Sequence, residues 1–401
     1  MKSNLNIEML STGDEVLYGQ ITDTNATWLS DYLFAQGYVI TSRYTQGDNL
    51  QQLIATLQQR SQVNDILIVN GGLGPTSDDL TAQAAAQANH ESLVLFPQWV
   101  EKMQQYFAQR GKPMPSSNMK QAMLPSSATI IDNPVGTACG FHMIINNCQI
   151  YFTPGVPSEF KQMVSQQIIA DLQSKFPILD KPCCYRLTTM GRTESDLADE
   201  IESTLTVPDD ITIGYRSAMP FIELKLTAKQ SQQPAMDKLW YELNALVKDN
   251  LIYVGTIGLA PLVSQLLREH HQPIIIIEQQ TAGLIAYPLY NNQAPIICSQ
   301  VLGIDQDIGQ IVNQLKSTYP QAVILALHDY DIASGRFKLQ LLTANHKYYY
   351  QLKYNGRRYH LATEQTILAA VAHDILRRHL LRLPLIGQYT WLQTEQIDSV
   401  G

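Results

Sequence analysis

Charge and cysteine are both scarce in this 401-residue chain. Asp, Glu, Lys and Arg make up only 16% of it, against about 25% in an ordinary soluble protein. The five cysteines (Cys139, Cys148, Cys183, Cys184 and Cys298) are odd in number and lack a framework spacing. Cys183 and Cys184 are neighbours, a poor geometry for pairing with each other. The pattern fits reduced thiols in a cytoplasmic protein rather than a disulfide scaffold. No C-x-x-C or H-E-x-x-H zinc pattern occurs. Aliphatic runs such as Ile274 to Ile277 are far too short to span a bilayer. The N-terminus turns polar at Ser11-Thr12-Gly13 without the apolar stretch of a signal peptide. The net charge is −8, which disfavours nonspecific nucleic-acid binding because that rests on a basic surface. No internal repeat and no low-complexity stretch is present.

What is present suffices for several cores. Hydrophobic residues account for 45% of the chain, and at roughly 150 residues per domain the length implies two or three domains. The first part alternates strand and helix signals. A short apolar strand ends at Leu10, and Trp28, Leu29, Tyr32 and Leu33 recur at helical spacing from Asn25 to Ala35, with Gly37 as a stop. A second strand is expected over Tyr38 to Ser42, a helix over Leu50 to Leu57, a buried strand over Ile66 to Val69 and a helix over Thr81 to Ala88. Such alternation predicts an α/β fold with a parallel sheet covered on both faces. Phe141 to Ile145 and Gln149 to Thr153 read as a hairpin turning through Asn146 and Asn147. Beyond Lys181 a small α+β unit follows. A third unit carries a helix over Pro261 to Arg268, a buried strand over Ile274 to Ile277 and a last helix over Thr363 to His379. The expected domains are 1–175, 180–255 and 256–401.

Ligands of parallel sheets sit beyond the carboxyl ends of the strands, and two motifs stand there. Gly71-Gly72-Leu73-Gly74-Pro75-Thr76 follows the third strand. Its glycines permit positive φ, so that successive N–H groups can point into one concavity suited to phosphate. Asp78 and Asp79 are expected in the first turn of the next helix. A carboxylate beside a phosphate cradle repels the ligand unless a cation such as Mg²⁺ bridges the two. The same Thr76-x-x-Asp79 spacing also fits a capping box. Adjacent residues project about 100° apart on a helix, which favours Asp79 as the metal ligand and Asp78 in support. The second motif is Thr12-Gly13-Asp14-Glu15, with Asp23, Asn25 and Asp48 further on. Each of these acids and amides is open to a capping role as well.

Taken together, Ser11-Thr12-Gly13-Asp14-Glu15, Asp23-Thr24-Asn25 and Gly71-Gly72-Leu73-Gly74-Pro75-Thr76-x-Asp78-Asp79 resemble the N-terminal domain of the CinA family (competence/damage-inducible protein A). Asn118-x-Lys120-Gln121-Ala122, Asn133-Pro134-Val135-Gly136-Thr137-Ala138 and Pro154-Gly155-Val156-Pro157-x-Glu159 match it in the same order. The resemblance implies a molybdopterin-binding fold of the MoaB/MogA type, followed by a KH-type middle domain and an α/β C-terminal domain. It further implies metal-dependent hydrolysis of ADP-ribose to AMP and ribose 5-phosphate, with Mg²⁺ or Co²⁺ and in some members K⁺, and a homodimer. On that basis Asp79, Asp78 and Lys120 are expected to be catalytic and Asp79 and Asp14 to hold metal. Thr12, Gly13, Asp14, Asn25, Gly71, Gly72, Gly74 and Thr76 would bind the phosphorylated substrate. The alternative is a non-catalytic molybdopterin- or nucleotide-binding protein or scaffold.

In full-length members the resemblance implies a C-terminal nicotinamide mononucleotide deamidase, marked by Ala-Glu-Ser-Cys-Thr-Gly-Gly. The corresponding stretch here is Ile277-Glu278-Gln279-Gln280-Thr281-Ala282-Gly283. Gln279 stands where the family has its nucleophilic Ser, and an amide cannot do nucleophilic acyl chemistry. The family's second glycine-rich loop reads Ala326-Leu327-His328-Asp329-Tyr330-Asp331. The expectation is a degenerate site at Glu278, Gln279, Thr281 and Gly283, without amidase activity.

Overall fold

The computed structural model describes residues 5–400. The chain forms two compact units, the first ending at Pro182 and the second beginning at Cys183.

In the first unit the elements run β1 (Ile7–Thr12), α1 (Asp14–Leu17), α2 (Thr24–Gln36), β2 (Ser42–Gln46), α3 (Leu50–Val63), β3 (Ile66–Asn70), α4 (Thr81–Ala88), β4 (Leu93–Leu95) and α5 (Pro97–Ala108). They continue with β5 (Met123–Pro125), β6 (Thr129–Ile131), β7 (Gly140–Ile145), β8 (Cys148–Thr153), α6 (Pro157–Met163) and α7 (Ile169–Lys175). Six strands form one sheet in the order β2-β1-β3-β8-β7-β6. The pairs among β2, β1, β3 and β8 are parallel, and β7 and β6 close the sheet antiparallel. Strand β3 is buried along its whole length because helices cover both faces. Leu67 and Val69 enter one core with Leu53, Ala84 and Trp99. Ile66 and Ile68 point the other way, to Leu29, Leu33, Phe160 and Met163. Asn146 and Asn147 both take positive φ, 50° and 66°, which makes the β7–β8 hairpin turn.

One strand boundary differs from the sequence expectation. The second strand begins at Ser42, not Tyr38. Gly37 caps α2 in the left-handed region at φ 98°. Tyr38 then leaves the helix as a core residue, 1% exposed, with its hydroxyl donating to the Phe176 carbonyl. An aromatic that packs immediately after a helix cap reads like the start of a strand.

The second unit carries two sheets. Strands β9 (Pro182–Met190), β10 (Thr212–Ala218), β11 (Phe221–Lys229) and β12 (Leu251–Val254) order as β10-β11-β9-β12, and α8 (Glu194–Thr204) and α9 (Gln233–Leu246) share a core with them. After α10 (Leu259–Glu269) come β13 (Ile274–Glu278), α11 (Ala286–Asn291), β14 (Ile296–Val301), α12 (Ile308–Thr318) and β15 (Val323–Asp331). The last elements are β16 (Arg336–Leu342), β17 (Lys347–Tyr354), α13 (Leu361–Leu380) and β18 (Leu392–Val400). This sheet orders as β14-β13-β15-β16-β17-β18. Residues 326–331, read from sequence as the counterpart of a loop, lie in β15. No helix among the described residues is long and apolar enough to cross a membrane.

Helix α13 holds a charge cluster. Asp374 is fully buried and accepts from Arg377 Nε at 2.7 Å, from Arg378 Nε at 2.8 Å and from the Tyr389 hydroxyl. The Arg378 fork also donates to the carbonyls of Pro384 and Asp249. One carboxylate therefore orients two guanidinium groups that fasten α13 to the approach to β12. Removing one partner of a buried ionic group leaves the other uncompensated, which costs about 3–5 kcal/mol. Asp374→Ala is expected to lower unfolding stability by about that amount, read as a drop in the urea midpoint.

All five cysteines are free. Burial pushes the Cys139 and Cys148 thiols up to about 12, so neither forms thiolate near neutrality. Iodoacetamide on the native protein at pH 8 is expected to spare both and to modify them only after unfolding. Mass spectrometry of labelled peptides checks this.

Candidate functional site

A hollow of about 520 Å³ opens at the carboxyl ends of β1, β3 and β8. Its floor is a set of side-chain amides. Asn70 closes β3 and donates to the Pro154 carbonyl at 2.7 Å and to Thr153 Oγ1 at 3.3 Å. Asn25, in the first turn of α2, donates to Asn70 Oδ1 at 2.9 Å and to the Gly155 carbonyl at 2.8 Å. The two carbonyls can only accept, so both amides have fixed orientations. Asn25 Oδ1 is left buried without a partner among the described residues. Asp23 caps α2 by accepting from the Ala26 N–H at 2.8 Å, and it also accepts from Ser11 Oγ at 2.5 Å.

The glycine loop forms one wall. Gly71 and Gly72 adopt φ 116° and 66°, a region closed to most side chains. A Cβ on Gly71 would also stand 2.6 Å from the Thr12 carbonyl oxygen, and one on Gly72 would collide with Thr81 Oγ1. Among the described residues none accepts from the backbone N–H of Gly72, Leu73 or Gly74. Three consecutive donors thus border the hollow unpaired.

The sequence-predicted residues divide into two groups. Thr12, Gly13, Asn25, Gly71, Gly72, Gly74, Asp78 and Asp79 line the hollow, whereas Asp14, Thr76 and Lys120 do not. The expectation that Asp78 and Asp79 occupy the first turn of a helix is corrected: α4 begins at Thr81. Asp79 instead closes a turn before the helix, accepting from Thr76 N at 2.8 Å and Thr76 Oγ1 at 2.6 Å. Pro75 and the capping chemistry of Thr76 delay the helix past both acids. Lys120 donates to the Thr76 carbonyl, so its charge props the outside of the loop. Asp14 and Asp48 exchange bonds with each other's backbone, at 3.1 and 3.2 Å. Burial holds the Asp48 carboxyl above its ordinary range. Among the described residues no group of three or more His, Cys, Asp or Glu could hold a metal ion. Of the two expected metal ligands, Asp79 lines the hollow and Asp14 does not.

Glu159 was not singled out from the sequence, although its motif was. It lines the hollow beside Thr137 and Ala138 and accepts from Asn133 Nδ2 at 2.7 Å. Burial raises its carboxyl, with the Asn133 bond opposing. The only sequence signal for the pair was that both motifs stood unexplained, because the partners are 26 residues apart.

In the second unit, Glu278 ends β13 fully buried and accepts from Thr281 Oγ1 at 2.7 Å, Ala286 N at 3.0 Å and Ile285 N at 3.3 Å. Gln279 donates to the Gly303 carbonyl and accepts from Asp329 N, both at 3.0 Å. Its amide ties three segments together. Gly283 follows with φ 94°. Burial lowers the nearby His373, which bonds the Ile285 carbonyl at 2.9 Å.

Comparison with known proteins places these features. The profile of a family described as a probable molybdopterin binding domain matches residues 8–174, so the first unit has the molybdopterin-binding type of fold. A CinA-like protein of Shigella flexneri is 44% identical over 97% of this chain and 98% of its own length. A CinA-like protein of Escherichia coli strain 55989 is 44% identical over 99% of both. The Escherichia coli K12 relative, 44% identical over 97% of this chain and 98% of its own length, is named NMN amidohydrolase-like protein YfaY. Among solved structures, the protein CinA of Thermoplasma acidophilum, with unknown function, is 25% identical and covers 43% of this chain and 98% of its own, at TM-score 0.39. The molybdopterin biosynthesis enzyme MoaB of Thermus thermophilus is 15% identical and covers 42% and 91%, at TM-score 0.29.

These names correct two expectations. None of them is that of an ADP-ribose pyrophosphatase, and the expected trio of Asp79, Asp78 and Lys120 is not gathered on the hollow. The exclusion of amidase activity, with the C-terminal domain taken as inactive, also falls, because one relative bears an amidohydrolase-like name. With 44% identity across nearly its full length, the chain belongs to the family of CinA-like proteins.

Proposed function

We propose that the first unit binds a phosphorylated pterin-type ligand in the hollow at the ends of β1, β3 and β8. The observation that carries this reading is the run of unpaired N–H groups at Gly72, Leu73 and Gly74 beside a cavity of about 520 Å³. That volume suits a small-molecule site, and unpaired amides beside glycine turns are anion donors. The family profile matched over residues 8–174 supports the pterin class. The lining includes Asp78 and Asp79 and no Lys or Arg, so a phosphate needs a cation to accompany it. Mg²⁺ suits this because it takes one or two carboxylates together with phosphate oxygens. The residues that would face it are Asp78 and Asp79.

Calorimetric titration with 6-hydroxymethylpterin phosphate is expected to show binding that tightens when Mg²⁺ is added. Gly72→Ala should weaken it about tenfold or more, since a hydrogen bond to a charged group is worth about 1.5–3 kcal/mol. Binding undiminished in that variant would remove the loop from the site.

The printed name of the Escherichia coli K12 relative gives a second reading, in the second unit. There the Thr281 hydroxyl, the only one between Glu278 and Ala286, donates to the Glu278 carboxylate. A hydroxyl held by a carboxylate is the arrangement of an activated nucleophile. Both groups are fully buried, so this reading requires residues 279–285 to open for a substrate. Ammonia release from nicotinamide mononucleotide by the wild type, abolished in Thr281→Val, is its expected signature. No release from the wild type discards it.

A further inference from the structure

The free amides of the glycine loop do not account for the rest of the hollow. Six carboxylates line it, from Glu15, Asp23, Asp48, Asp78, Asp79 and Glu159. A pocket built only to grip an anion would not be walled in this way. Asp23, Asp48 and Asp79 each accept from a backbone N–H and have a structural task. Glu159 is different.

Its single partner among the described residues is Asn133, which is 1% exposed. Asn133 is itself fully committed. Its Oδ1 accepts from Val135 N at 3.2 Å and Gly136 N at 3.0 Å, and its Nδ2 donates to the Ala138 carbonyl at 2.8 Å as well as to Glu159 Oε2. Turning this amide over would set its N–H groups against two backbone donors, so its orientation is fixed. It therefore holds one carboxylate oxygen of Glu159 and leaves Oε1 without a partner among the described residues. The chain makes room for this group: Gly136 lies against it, and any Cβ there would collide with the carboxylate. Among the described residues no cation pairs with it. Burial accordingly lifts its carboxyl above the usual range.

A pre-oriented carboxylate, half withdrawn from water and open on one oxygen, is a strong acceptor for charge-assisted hydrogen bonds. The free Oε1 and the second acceptor site of Oε2 together suit a flat ligand edge with two adjacent N–H donors. We propose that Glu159 reads the edge formed by a ring N–H and its neighbouring 2-amino group, shared by pterins and guanine, and so sets the ligand class of the hollow. Adenine presents a bare ring nitrogen at the corresponding place. Two acceptors would then face each other, and the desolvated carboxylate would stay unsatisfied. This assignment rests on reading the glycine loop as the phosphate end of the same site.

The experiment is calorimetric titration of the full chain, in Mg²⁺, with GMP, IMP, AMP, 6-hydroxymethylpterin phosphate and inorganic pyrophosphate. GMP, the pterin phosphate or both should bind at least about tenfold more tightly than AMP, since a charge-assisted bond is worth about that factor. IMP, which keeps the ring N–H and lacks the 2-amino group, should fall between GMP and AMP if GMP binds. Preference for GMP over the pterin phosphate identifies a nucleotide source of the edge, and the reverse order a pterin source. Glu159→Gln should bring the preferred ligands to the level of AMP and leave pyrophosphate unchanged. The wild-type ranking tests the idea even if that variant does not fold. AMP binding as tightly as the others while pyrophosphate still binds overturns the role of Glu159 alone, as does a preference that survives in Glu159→Gln. Failure of all five probes to bind overturns the phosphate reading together with it.

Discussion

The hollow in the first unit depends on the Asn70 side chain more than on any other group. Strand β3 ends there, and its amide clasps the Thr153 hydroxyl and the Pro154 carbonyl at the end of β8 while accepting from Asn25 at the start of α2. A parallel sheet leaves the carboxyl ends of its strands without ladder partners. Here those ends are joined by fixed side-chain amides. The loop beyond Asn70 can then leave three N–H groups unpaired without collapsing, because its entry is pinned and its exit returns through Thr81 N to the Gly72 carbonyl at 3.1 Å. Buried polar networks of this kind rigidify a site when nearly every member is satisfied. Asn25 Oδ1 is the unsatisfied member.

Charge in this hollow is arranged against expectation. A phosphate cradle usually gains from a nearby Lys or Arg, yet the candidate cation, Lys120, supports the loop from behind. Among the described residues the amides provide the only positive character on the lining, and the acids outnumber what capping explains. The ligand proposed for it brings its own positive features: a cation with its phosphate at one end and N–H donors on its ring at the other. Such a ligand answers both walls.

The second unit solves a different problem with similar means. From α13, Asp374 gathers two guanidinium groups and the phenol of Tyr389, and Glu278 takes two backbone N–H groups and a hydroxyl at the end of β13. In each case a carboxylate without access to water is satisfied by several donors, the condition under which a buried charge is tolerated. Gln279 belongs to the same pattern of contacts. Its amide links β13 to Gly303 and Asp329, a cross-link that a serine side chain is too short to make at both ends.

By itself the sequence determined the strand and helix periodicity of the first unit, the paired-asparagine hairpin, the cap at Gly37, the reduced thiols and the position of the glycine loop. All of these follow from contacts within a few residues along the chain. Local signals misplaced Tyr38, whose packing partner lies at Phe176, and Asp79, whose partner Thr76 stops the helix from starting early. The assembly of β15 to β18 into one antiparallel half-sheet was not legible either, since which strands pair is decided by neighbours distant along the chain. Only the tertiary structure decided which acids share a hollow. It separated Asp14 and Lys120 from the lining and brought Glu159 to it, held by Asn133 from a distant loop. Burial, hydrogen-bond geometry and unpaired donors are properties of groups brought together across the fold, and spacing along the chain does not encode them.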